Sequence, residues 1–169
     1  MIKLPPDLDI NNLIDDLRII CWEASDILLT YSQIIKDSEN KSNLIRNSNK
    51  EDPVTIADLK VNELIIKRIS EINGNIYWDI LSEENVKLSS GNRTTKKEFL
   101  WVLDPLDGTK DFIQGTGNYA MHLSLNLKNK PFLGIVLIPE KDELWISSGE
   151  NVWCENKDGN IKKANLSDK

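Results

Sequence analysis

The hexapeptide Asp104-Pro105-Leu106-Asp107-Gly108-Thr109 carries the densest chemistry in the chain. Two carboxylates three residues apart follow a continuous apolar run, Phe99-Leu100-Trp101-Val102-Leu103, of buried-strand length. A strand end fixes whatever side chains it carries, and Pro105 stiffens the turn between the acids. Gly108 permits positive φ or close approach, and the Gly108 and Thr109 amides form the kind of turn that cradles phosphate oxygens. Hard oxygen ligands for Mg²⁺ and an anion nest thus lie side by side. The plainer alternative is an Asp-Pro plus Asp-Gly turn with no chemistry, since both dipeptides are common turn formers.

Two further segments gain meaning beside it. Ser82-Glu83-Glu84 also follows a strand-like run. Alone it reads as a solvated acidic loop; with Asp104 and Asp107 it becomes a third carboxylate source for an oxygen-only site. In Pro53-Val54-Thr55-Ile56-Ala57-Asp58, Thr55 is a helix N-cap and Asp58 sits three residues on, close to a capping box. That role is compatible with Asp58 facing a cleft.

The elements that must position these residues follow from periodicity. Leu13, Leu17, Ile20, Ala24, Ile27 or Leu28, and Tyr31 recur at helical spacing and predict a helix over 9–35, with Asp9, Asp15 and Asp16 toward its positive end. Residues 36–53 are polar and read as a mobile loop pinched by a weak hairpin near Leu44 and Ile45. A second helix runs from Thr55 to about Ile72, stopped by Asn73-Gly74-Asn75. Strands are expected at 76–81, 99–103, 119–127, 132–138, 143–147 and 151–154, with 85–97 as a second polar loop and Asp158-Gly159 as a hairpin tip. Two helices followed by antiparallel strands give an α+β layer pair.

The chain has 169 residues, so it reads as one domain able to bury roughly 70% of its unfolded surface. Its 21 basic and 27 acidic residues leave a net charge of −6, which argues against a partner as polyanionic as nucleic acid. The two cysteines, Cys21 and Cys154, make neither a disulfide framework nor a metal knuckle, and Cys21 lies in an apolar helical stripe. No apolar run approaches 18 residues and the N-terminus has no secretory pattern, so the expected location is cytoplasmic, with no membrane partner. His122, the only histidine, reads as a packed sheet residue, and the five tryptophans as core or rim packing.

DPVTIADLKVNELI, LSEEN, WVLDPLDGTKDFI and GIVLIPEKDELW, in that order, resemble the magnesium-dependent, lithium-sensitive phosphomonoesterase superfamily that includes inositol monophosphatase. Within it the chain looks most like the CysQ-type 3′(2′),5′-bisphosphate nucleotidases, because Lys110-Asp111-Phe112 follows the Gly-Thr turn. The resemblance implies that Glu83, Asp104, Asp107 and the Leu106 carbonyl ligate Mg²⁺. It implies that Gly108 and Thr109 hold the phosphate; Lys110 either attracts a doubly phosphorylated ligand or is a solvated surface lysine. Asp58 and Thr109, with Glu83, would orient a water whose pKa the metal lowers for in-line attack on phosphorus; Glu84 would lie behind them.

The implied substrate is a small phosphorylated nucleotide, adenosine 3′,5′-bisphosphate or 3′-phosphoadenylyl sulfate, in sulfur metabolism. Two alternatives stand beside it: an inositol or sugar monophosphatase, and a non-catalytic remnant or half of a split protein.

The resemblance covers residues 10–165 but only the family's N-terminal part. The implied fold is the first domain of a layered αβαβα sugar-phosphatase, residues 1–169, with the second domain missing. The Trp-Asp-x-Ala-Ala element that supplies a further metal ligand in relatives has no counterpart here, and Lys50 is displaced from the position that a loop lysine takes in many of them. One sheet face is then expected to lack its cover, which predicts poor solubility, a homo-oligomer or pairing with a complementary C-terminal chain.

Overall fold

The computed structural model describes residues 8–38, 45–47, 54–72, 78–88 and 98–164. Helix α1 (Ile10–Asp37) starts where Asp9 accepts hydrogen bonds from the Asn11 and Asn12 amides at 2.8 and 3.2 Å. Its buried stripe runs from Leu13 to Ile35, and Cys21 lies within it, burial pushing the thiol up to about 12. Strands β1 (Ile45–Asn47) and β2 (Val54–Thr55) pair antiparallel, the small hairpin expected near Ile45. The rest of that loop, including Lys50, and the Asn73-Gly74-Asn75 stop lie outside the described residues.

Helix α2 (Ile56–Ile72) follows at once and buries Ala57, Val61, Ile65 and Ile69. After β3 (Asp79–Ser82), the chain forms a short helix α3 (Glu83–Leu88) where the sequence suggested an acidic loop. Glu83 and Glu84 occupy its first turn, where exposed amides and the helix dipole favour negative charge. Strand β4 (Phe99–Asp107) does not stop at Leu103 but continues through both aspartates, its register shifting between Asp104 and Asp107. That irregularity accommodates Pro105, which cannot donate to a ladder. A second short helix, α4 (Thr109–Gln114), replaces the expected plain turn.

The remaining strands are β5 (Ala120–Leu127), β6 (Lys130–Ile138), β7 (Glu143–Ser148), β8 (Asn151–Glu155) and β9 (Ile161–Lys163), with a 3-10 turn at Pro139–Lys141 between β6 and β7. The β5–β6 hairpin turns through Lys128 and Asn129, both at positive φ. One seven-stranded sheet results, in sequence order β3 to β9, parallel only between β3 and β4. The α+β expectation therefore holds, with helices packed on a mostly antiparallel sheet.

Strand periodicity separates the two sheet faces. Trp101, Leu103, Met121, Leu123, Leu125, Leu133, Ile135, Leu137, Leu144 and Ile146 join the stripes of α1 and α2 in one core. Val102, Asp104, His122, Ser124, Val136, Trp145 and Ser147 take the other face.

Candidate active site

Asp58 is set by the start of α2. Thr55 Oγ1 accepts from the Ala57 and Asp58 amides at 3.2 and 3.4 Å, while Asp58 Oδ2 accepts from the Thr55 amide at 2.9 Å and from its hydroxyl. This reciprocal arrangement is the capping box read from the sequence. Asp58 is 2% exposed. Burial pushes its carboxyl up to about 6, opposed by the Thr55 hydrogen bonds and assisted by the nearby Glu84 charge. Its other oxygen, Oδ1, lies 3.4 Å from Thr109 Oγ1, across 51 residues of sequence. The same hydroxyl lies 3.0 Å from the Leu106 carbonyl, so its single proton has two acceptors.

Sheet register brings the acids together. Ser82 is the partner of Leu103 in the parallel β3–β4 pair, so Glu83 and Asp104, the next residues on each segment, emerge beside one another. Asp104 Oδ1 accepts from the Leu106 amide at 3.2 Å. Burial first, then the charge of Glu83 and a hydrogen bond shared with it, push Asp104 up to about 7; Asp107 adds to the push. A hydrogen bond between two carboxyls needs a proton on one of them. Asp107 is exposed and faces His122, Nε2 to Oδ2 at 3.8 Å. The acids thus stand in pairs, and among the described residues no three His, Cys, Asp or Glu groups are drawn tightly enough to hold a metal ion as they stand.

Gly108 makes the turn after Asp107. Its φ is +84°, and a Cβ there would meet the Asn118 carbonyl oxygen at 2.7 Å, so both conformation and space require glycine. Thr109 then opens α4, whose first amides have no acceptor within the helix. Phe112 anchors α4 in the core, edge-on to Tyr119 at 4.8 Å. Lys110 is exposed on the first turn.

The sequence-derived residues Asp58, Glu83, Asp104, Leu106, Asp107, Gly108 and Thr109 therefore collect where β3, β4, α2 and α4 meet. His122 corrects the reading as a packed residue. Its side chain is 46% exposed, and it lies directly opposite Asp104 in the β4–β5 ladder. The signal was available in the alternation Met121-His122-Leu123-Ser124-Leu125-Asn126-Leu127, which puts His122 in the polar series. What the sequence could not give was the partner across the ladder.

A groove of about 830 Å³ runs from Glu83, Asp104 and His122 across the sheet face opposite α1 and α2, past Val102, Val136 and Trp145. Among the described residues, no helix is long and apolar enough to cross a membrane.

Known proteins give this geometry its relatives. The chain is 35% identical over 129 residues to the 3′(2′),5′-bisphosphate nucleotidase CysQ of Buchnera aphidicola, covering 75% of this chain and 47% of that protein. It is 31% identical over 113 residues to inositol monophosphatase 2 of Solanum lycopersicum, covering 67% and 42%. The fold superposes on the extragenic suppressor protein SuhB of Bartonella henselae with a TM-score of 0.68 at 21% identity, covering 85% of this chain and 52% of SuhB. The chain thus spans about half the length of the relatives it matches. Residues 13–169 match the inositol monophosphatase family as a whole, and the chain belongs to that family.

Proposed function

We propose that these 169 residues are the metal- and phosphate-binding domain of a Mg²⁺-dependent phosphomonoesterase, the remainder of the relatives' length lying outside them. The reading assigns as substrate the 3′-phosphate of adenosine 3′,5′-bisphosphate or 3′-phosphoadenylyl sulfate, and as location the cytoplasm. The observation that carries it is the meeting of Glu83 and Asp104 at the paired ends of β3 and β4, with Asp107 three residues on, where burial first and then the Glu83 charge push the Asp104 carboxyl up to about 7. Such an excess of carboxylate charge, in an all-oxygen donor set beside a glycine turn, fits a hard divalent cation that takes the proton's place.

Glu83, Asp104, Asp107 and the Leu106 carbonyl would hold the ion. Bound there, Mg²⁺ supplies charge neutralisation for the phosphate and lowers the pKa of water. The chain's own residues do the rest. Gly108 and Thr109 present amides to the phosphate oxygens. Asp58, buried and fixed by Thr55, holds the Thr109 hydroxyl and is placed to accept a proton through it. Lys110 offers a cation to a second phosphate on the substrate.

The likeness to an inositol monophosphatase supports a second reading, hydrolysis of an inositol or sugar monophosphate. A third reading is a chain that binds Mg²⁺ or phosphate without turnover, since among the described residues no three His, Cys, Asp or Glu groups are set to hold a metal ion as they stand.

Phosphate release from adenosine 3′,5′-bisphosphate and from inositol monophosphate, each with Mg²⁺ and with or without Li⁺, separates the three. The expected result is Mg²⁺-dependent, Li⁺-inhibited release that favours the bisphosphate and is abolished in Asp104→Asn. Mg²⁺ binding without turnover selects the third reading. Turnover retained in Asp104→Asn refutes the site.

A further inference from the structure

We propose that Tyr119, tethered by Glu140, is a positioning residue for the Gly108–Thr109 turn. The inference rests on the phosphate-binding reading of that turn and adds a support that lies outside the acidic motifs. Three observations carry it. A Cβ at Gly108 would meet not only the Asn118 carbonyl oxygen at 2.7 Å but also Tyr119 Cα at 3.4 Å and Tyr119 Cβ at 3.6 Å, so Tyr119 lies directly behind the turn. The Tyr119 side chain is fixed twice: its ring stands edge-on to the buried Phe112 of α4, and its hydroxyl donates to Glu140 Oε1 at 3.1 Å. Glu140 is held in turn by Ser32 and Lys36 of α1, each donating at 2.8 Å.

The segment between α4 and β5 transmits the tether. Gly115 and Gly117 let the latch side chains come close: a Cβ at either would meet Lys36 Cγ at 3.3 Å or Glu140 Cγ at 3.5 Å. On its other side the segment is bound to α4, where the Thr116 hydroxyl donates to Asp111 Oδ1 at 2.7 Å and accepts from the Asn118 amide at 3.2 Å. Residues 115–119 are thus gripped between α4 and the Lys36–Glu140 pair, and their last two residues press on Gly108. A turn that offers amides to phosphate needs such support, because a looseness of about 0.5 Å already degrades a binding site. The competing account is a latch that only docks α1 on the 3-10 turn. Ser32 and Lys36 suffice for that docking; Tyr119 is a third donor to Glu140, and it packs on Gly108.

Inorganic phosphate is titrated into the full chain in the presence of Mg²⁺, with the Gly108 and Thr109 amide resonances followed by NMR; Mg²⁺ affinity is measured separately by calorimetry. In Tyr119→Phe and in Glu140→Ala the two resonances should move before phosphate is added. Phosphate affinity should then fall about threefold to tenfold, the size of one lost hydrogen bond, while Mg²⁺ affinity changes much less. The double variant should lose little more than either single one, because both break the same contact. Glu140→Gln, which keeps an acceptor, should restore most of the affinity. Ile69→Val, a buried change near the far end of α2, supplies the comparison: it should lower the melting temperature without moving either resonance. Wild-type phosphate affinity in both single variants, with the two resonances in place, overturns the positioning role and leaves the phosphate turn standing. No phosphate binding by the wild type overturns both. Tyr119→Phe keeps the buried ring, so it decides the matter even if Glu140→Ala fails to fold.

Discussion

On one face of the sheet, Trp101, Leu103, Leu123, Ile135 and Ile146 are each at most 2% exposed, sealed by α1 and α2. One residue along the same strands, Val102, Ser124, Val136, Trp145 and Ser147 are only partly buried, and Val152 is 38% exposed. The backbone is shared; the difference is the period-2 alternation and what covers each side. The closed face has leucine and isoleucine packed against helices, and its substitution is felt as lost stability. The open face carries small residues, apolar groups and, at one end, the acids and His122. Its substitutions should register in binding and association. The acids themselves sit where the two faces meet, at the ends of β3 and β4, and are held by elements of the closed side.

The widest contrast is between Leu123 and Val136. Leu123→Ala should destabilise by about 2–5 kcal/mol, since a cavity opens beneath the helices. Val136→Ala, on the partly open side, should cost under about 1 kcal/mol. Denaturant unfolding of both variants reads the difference directly, and equal losses would mean that the second face is as well covered as the first.

Next in size is the turn after Asp107. Gly108→Ala places a methyl group against the Asn118 carbonyl in a left-handed conformation, at an expected cost of about 1–3 kcal/mol, and should weaken Mg²⁺ binding with it. Gly149→Ala is the control. Gly149 has φ +60° but open space around it, so its loss should stay near 1 kcal/mol with metal binding intact. A Gly108→Ala protein as stable as the control would remove the close approach from the account.

Association tests the open face itself. At micromolar concentration, light scattering should give a mass above the 19.3 kDa of one chain, and Val152→Lys should lower it toward that value. A clean, stable monomer would show that this face is adequately solvated as it is.

Much of this arrangement was legible in the sequence, for identifiable reasons. The stripes of α1 and α2 are long and periodic, and Thr55 with Asp58 spells a cap, whereas Asp9 shows in the sequence only as one of three acids near the positive end of α1. The Asp104–Thr109 hexapeptide stands out in the sequence, although its Asp-Pro and Asp-Gly pairs suit a plain turn equally well. Short elements escaped. Helices α3 and α4 have six residues each, too few for a period to show. The strand β4 was cut at Leu103 because Pro105 signals a stop, whereas a register shift lets the ladder resume at Asp107 and Ala120. His122 escaped because its meaning depends on register, and register is a relation between two strands separated here by a helix.

The smallest effect belongs to a polar latch on the closed side. Glu140 Oε1, in the 3-10 turn after β6, accepts from Ser32 Oγ and Lys36 Nζ on α1, both at 2.8 Å, and from Tyr119 Oη at 3.1 Å. The Lys36 hydrogen bond, with those from Ser32 and Tyr119, holds its carboxyl below the usual value of 4.5 despite partial burial. A carboxyl whose pKa is lower folded than unfolded stabilises the fold above the unfolded value, and that contribution disappears as pH falls through the lowered one. The wild-type melting temperature should therefore drop between about pH 5 and pH 3 more than that of Glu140→Gln, which keeps an acceptor but cannot titrate. Because Lys36 is 37% exposed, the difference should be only about 1–3 °C. Parallel melting curves for the two proteins across that range would show the latch to be decorative and the helix layer held by its apolar stripe alone.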